Sequence, residues 1–173
     1  MDAMNLFKGK RVDNGEWVIG NLIFSEDALD GWEAIIIPTT NSNMYASDKD
    51  DTNKGDIHFE NWYRVDKDTV CRCTGMRDMN DELIWENDIV RTVYDGNEHV
   101  YQVVWDESEL DFKATNGKEN YESNFEYLPC CDEIEILGNC FDNPEKMKNH
   151  RRTPHLARSI VDMVSDKSEK IVL

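Results

Sequence analysis

Positive charge is scarce in this chain. Nineteen Lys and Arg residues stand against 36 Asp and Glu in 173 residues, for a formal net charge of −17. A body that acidic repels phosphate backbones, which excludes a conventional grip on nucleic acid. The acids are scattered rather than set in blocks, and so read first as a solvated surface. Two functional readings of the acidity stay open: a cation site, or a surface that competes with nucleic acid for a basic partner. Only residues 151–173 reverse the balance, with five Lys/Arg against three Asp/Glu.

Long apolar runs are also missing. No stretch is long enough to span a bilayer, and residues 1–12 are too polar for a signal peptide. A cytoplasmic protein without membrane contact is expected. Five cysteines, an odd number with no secretion signal, point to reduced thiols. Cys71-x-Cys73 and adjacent Cys130-Cys131 fit poorly with the Cys-x2–4-Cys knuckles of structural zinc. Together with Cys140 they read as small buried hydrophobes, although four thiols from separate strands could converge on a metal.

Catalytic signatures are missing too. There is no His-Glu-x-x-His, no Gly-x-Ser-x-Gly, no Walker or dinucleotide glycine pattern and no zinc-deaminase pattern. His58 and Glu60 share a face of an expected strand and read as a surface pair. His99 follows a hairpin turn, and His150 and His155 lie in the basic tail. Carboxylates are so abundant that no pair of them stands out as an acid and a base. No catalytic, cofactor-binding or metal-ligating residue is assigned.

What is present is β pattern. After a polar stretch over 1–15 ending in an Asp-Asn-Gly turn, residues 17–24 and 32–38 read as a first hairpin across Asp30-Gly31. Ile35, Ile36 and Ile37, bounded by Pro38, suggest a strand buried on both faces. Residues 39–56 carry no periodicity and read as an exposed loop. Asp48, Asp50 and Asp51 fail as a calcium loop, because Asn53 and Phe59 occupy the positions that need Gly and Glu. Further strands are expected at 57–65, 70–74, 83–85, 88–94, 98–105, 110–115 and 134–140. Asn80-Asp81 and Asp95-Gly96-Asn97 supply tight turns. Asn143-Pro144-Glu145 should open a short helix, and the same grammar recurs at Thr153-Pro154. Beyond it Leu156, Ile160, Met163 and Val164 fall on one helical face.

Residues 14–147 resemble the YopX family, proteins encoded by bacteriophages, prophages and other mobile elements of bacteria. Three segments carry the resemblance. Asn14-Gly15-Glu16-Trp17-Val18-Ile19-Gly20-Asn21-Leu22-Ile23 resembles the family's opening pattern. Thr74-Gly75, Asp78, Asn80, Ile84, Trp85, Glu86 and Asp88-Ile89-Val90 resemble its central signature. Glu135-Ile136-Leu137-Gly138-Asn139, Phe141 and Asn143-Pro144-Glu145 resemble its closing pattern. The resemblance implies a mainly β, partly barrel-like domain without an assigned activity. Two family glycines are replaced here, by Asp81 and Asn87. Both positions call for positive φ, which Asn and Asp tolerate best after glycine, so Asn87 is expected in the left-handed region.

The fold expected is therefore mainly β (α+β): an antiparallel, partly barrel-like domain over 1–147 and a short helical tail over 148–173. The function expected is that of a phage or prophage accessory protein acting by binding, without catalysis or cofactor. Its partners would be further copies of itself, through the 153–166 helix, or a host protein. Tryptophans exposed among Trp17, Trp32, Trp62, Trp85 and Trp105 would favour such binding, although most are expected in the core. An acidic, DNA-mimicking inhibitor and a small metal protein or enzyme are the alternatives.

Overall fold

The computed structural model describes residues 5–29, 31–46, 55–117 and 125–149. Over these the chain is mainly antiparallel β, and its only α-helix is one turn, Lys146–Asn149 (α1). No helix among the described residues is long and apolar enough to cross a membrane.

The strands begin earlier than the sequence pattern indicates. Phe7–Lys10 (β1) lies inside the polar N-terminal stretch and pairs with Trp17–Phe24 (β2) on one side. Its other neighbour is Cys71–Arg77 (β7). Ala34–Pro38 (β3) completes the expected hairpin with β2. Ile36 and Ile37 are buried on opposite faces of β3, as the isoleucine run indicates. With Tyr63–Arg64 (β6) and Leu83–Trp85 (β8) these strands make a six-stranded sheet in the order β6-β3-β2-β1-β7-β8.

The second sheet is five-stranded. It orders Phe125–Tyr127 (β12), Asp111–Thr115 (β11), Asn97–Asp106 (β10), Asp88–Tyr94 (β9) and Glu133–Asn139 (β13). β9 and β10 turn through Asp95 and Gly96, both at positive φ, as a two-residue hairpin requires. The expected single strand over 57–65 is in fact two. Ile57–Phe59 (β5) pairs with Met44–Ala46 (β4), inside the expected loop, whereas β6 pairs with β3. A bend at Glu60 and the irregular residues 61–62 separate them. Asp48, Asp50 and Asp51 and the tail helix at 153–166 lie outside the described residues.

Neither sheet closes into a barrel among the described residues. One antiparallel bridge, Arg11–Val65, ties the chain after β1 to the chain after β6 and curls the four strands between them. Inside that curl Ala34, Ile36 and Val65 pack with Phe7, Val18 and Leu22. Ile84, Val90, Tyr101, Val103, Phe112 and Leu128 fill the second sheet's core. A third, smaller cluster holds Cys71, Cys73 and Trp85 of the six-stranded sheet with Trp17 and with Phe141, which follows β13.

Candidate functional site

The three segments that carry the family resemblance meet at this third cluster. Lys8 of β1 and Asp88 of β9 form a buried ion pair, Nζ to Oδ1 at 2.7 Å, across the two sheets. The other oxygen of Asp88 accepts the Trp85 backbone N–H at 2.8 Å. The Lys8 ammonium lies 5.1 Å from the centre of the Trp17 ring and 5.4 Å from that of Trp85. Burial pushes the Asp88 carboxyl above its ordinary range, against the pull of Lys8. The closing segment returns to the same place. Asn139 Oδ1 accepts the N–H groups of Phe141 and Asp142, and the Asp142 carboxylate then accepts from Lys10, from the Asn139 side-chain amide and from the Trp17 indole. Those bonds, from Lys10, Asn139 and Trp17, hold the Asp142 carboxyl down at about 2.

Asn87 forms the corner just before Asp88. Its φ is +67, the left-handed conformation expected there. Its backbone N–H donates to Val103 O and its carbonyl accepts from Cys140. Its side-chain oxygen accepts from Gln102 at 2.9 Å. Asp81, at the other replaced glycine, is also left-handed, with φ +65. Asn87→Ala is expected to be less stable than Asn87→Gly by about 1–2 kcal/mol, because only alanine combines a Cβ with the strained backbone. Urea unfolding of both variants reads this, and equal losses would show that the corner carries no backbone strain. The junction is a fastening for the fold, and thiol chemistry there is unfavourable. Burial pushes the Cys71 thiol up to about 11 and raises Cys73 and Cys140 as well.

A second polar grouping lies on the five-stranded sheet. His99 Nδ1 is 2.9 Å from Glu126 Oε1, and Cys131 Sγ donates weakly to Glu126 Oε2 at 3.6 Å. The carboxylate takes both neighbours, and burial, then Glu126, pushes the Cys131 thiol up to about 12. A thiol so raised is a poor nucleophile at neutral pH. Cys130 is exposed, and no three His, Cys, Asp or Glu side chains converge on a metal position among the described residues. Glu60 accepts from Asn43 rather than from His58. His150 and His155 lie outside the described residues.

The surface with the most unusual chemistry is the seam where the Arg11–Val65 bridge closes the curl. Of the five tryptophans Trp85 is buried and Trp17 and Trp105 are half-buried, whereas Trp32 and Trp62 are 41% and 44% exposed. Trp32 and Trp62 touch, with ring centres 5.9 Å apart. The Arg64 guanidinium lies 4.6 Å from the Trp32 ring and that of Arg11 4.0 Å from Tyr63. Concavities of about 460 Å³ and 240 Å³ run along the seam and share Val12 and Arg64. Arg64 and Val12 carry no motif and are missed by sequence reading. The one available signal is the run Trp62-Tyr63-Arg64, whose last two members form a two-residue edge strand.

Fold and surface together define an antiparallel β domain whose two larger sheets are fastened by a buried ion pair, with an aromatic, cation-lined seam left open. Residues 30–148 match the family described as YopX protein, and the chain belongs to the YopX family. The matched region begins after Asn14–Ile23, so the central and closing segments carry the membership. No curated protein matches the chain. Among solved structures, the chain is similar to protein EF1440 from Enterococcus faecalis, with a TM-score of 0.48 and 16% identity. The alignment covers 82% of this chain and 96% of that one.

Proposed function

We propose that this YopX-family protein is a non-catalytic binding module, encoded by a phage or prophage and acting in the bacterial cytoplasm, whose seam engages a host protein. The exposed Trp32–Trp62 pair beside Arg64 carries the reading. Two large exposed aromatic side chains beside an arginine that lines both concavities, one of them shared with Trp62, are the composition of binding hot spots. The raised cysteine thiols favour binding over thiol catalysis. Self-association through the 153–166 helix belongs to the same proposal, as does the division at residue 147 between β domain and tail.

Tagged protein and its Trp32→Ala/Trp62→Ala variant, recovered from a bacterial host, test the reading by mass spectrometry and light scattering. One dominant partner is expected with the native protein, retained at high salt and reduced about 30-fold or more in the variant, as loss of a hot spot implies. Recovery of bait alone, as a monomer, would remove both the host partner and the self-association. A partner lost at high salt and kept by the variant would point to the acidic surface and to competition for a basic protein.

A further inference from the structure

We propose that the seam concavity binds a carboxylate, presented by a protein segment beside an apolar side chain, with Arg64 as its anchor. The inference rests on the protein being a binding module and names what that module recognises. In a chain with nearly twice as many acids as bases, Lys10, Arg11, Arg64 and Lys67 line the larger concavity with Glu33 and Asp66. Three of these four cations are already matched. Lys10 pairs with Asp142, Arg11 with Asp13, and Lys67 with Glu33 at 3.4 Å.

Arg64 differs from them. It pairs with no carboxylate among the described residues, and its Nε is buried without a hydrogen-bond partner. A buried donor left in that condition is unfavourable, and an incoming acceptor relieves it. The guanidinium is held in place while it waits. Its face lies on Trp32, and Nη2 passes 3.0 Å from where a Cβ of Gly31 would stand, space that glycine at φ +77 leaves open. A fixed planar fork selects a carboxylate, which it can bind through two parallel bonds.

The apolar half of the ligand follows from the smaller concavity. There Arg64 is joined by Val12, Trp62 and Tyr63, an apolar wall within reach of the same guanidinium, and by Asp13, whose carboxylate is already paired with Arg11. A phosphate dianion suits the seam less well. It would meet Glu33 and Asp66 with a single unmatched cation to hold it, inside the field of a −17 chain.

The test is an NMR titration of the full-length protein, following the Arg64 Nε–H resonance. The probes are N-acetyl-Leu-Asp-amide, its uncharged Leu-Asn counterpart and inorganic phosphate. The Leu-Asp probe is expected to shift the resonance saturably and to bind about 10-fold or more tightly than either other probe, since bonds to a charged acceptor are the stronger ones. Arg64→Lys, which keeps the charge and loses the fork, should weaken Leu-Asp binding about 10-fold, read from the indole signal of Trp32. Equal binding of Leu-Asp and Leu-Asn, phosphate binding as tight as the peptide's, or an unchanged Arg64→Lys affinity would each overturn the inference. The two proposals separate in the capture experiment. A partner lost by the tryptophan variant and fully kept by Arg64→Lys leaves the binding module standing and removes the carboxylate site.

Discussion

Replacing Lys8 by methionine is expected to lower the free energy of unfolding by about 3–5 kcal/mol at pH 7, the usual effect of removing one member of a buried ion pair. The side chains of Lys8 and Asp88 are 11% and 3% exposed, so water can do little for the carboxylate left behind. Methionine keeps the aliphatic stem between Trp17 and Trp85, and the loss therefore reports charge rather than packing. The pH dependence has a definite sign. The Asp88 carboxyl is already raised in the folded protein. A group raised in this way adds most to stability below its unfolded value of about 3.9 and loses that contribution as pH rises through the folded value. Without Lys8 it rises further, so the deficit of Lys8→Met relative to the native protein should shrink from pH 7 to pH 4. The double variant Lys8→Met/Asp88→Asn, with no charge to strand, should lose less than Lys8→Met alone. Urea unfolding at the two pH values decides. A deficit below about 1 kcal/mol at pH 7, or one unchanged by acid, would mean that the pair is not the fastening described.

Gly20→Ala should be the most damaging single methyl in the chain. A Cβ there would stand 2.0 Å from the Ile37 carbonyl oxygen and 2.9 Å from the Pro38 Cα. These are backbone atoms in the neighbouring strand, and no rotamer change moves them. Gly20 is held from both sides, opposite Phe7 of β1 and Pro38 of β3, so relief requires strands to separate. We expect a loss of about 4 kcal/mol or more, in the range reserved for strain within a packed interior. For a chain of this size that is a fall in Tm of roughly 10 °C or more. Gly15→Ala provides the contrast. It has positive φ but nothing within 4 Å of its added carbon, and should cost only about 1–2 kcal/mol. Melting temperatures that do not separate the two variants would contradict the close approach of β2 and β3.

Strands whose side chains alternate or run apolar were legible from sequence: β2, β8 and β9 occupy the residues read for them, and Asn87 adopts the conformation its neighbours demand. β1 was not legible. Phe-Lys-Gly-Lys reads as polar, and Lys8 is buried only because Asp88 arrives from 80 residues away. No local pattern encodes a partner at that distance. The run at 57–65 misled for the opposite reason. Its aromatic and apolar residues are continuous in sequence, but β5 and β6 take different partners. The seam was half legible. Trp32 and Trp62 stand out in sequence only as two of five tryptophans, and the contacts of Trp32 with Trp62 and Arg64 join residues far apart in the chain, which no local pattern encodes.

The clasp between the two ends of the β domain governs how the protein is made. β1 leaves the ribosome first, and Asp88 follows 80 residues later. At about 5–20 residues per second, the nascent chain carries an unmatched Lys8 for roughly 4–16 s. Trp17 waits longer still, for Asp142, 125 residues further on. Partners so distant in sequence also make for slow closure. Until β7 is made, the outer edge of β1 stays unpaired and Trp17 lacks its later partners, both open to chaperones and proteases. A translation product that stops short of Phe141 and Asp142 lacks both the ring that packs on Trp17 and the carboxylate that accepts its indole N–H, and leaves that side of the junction open.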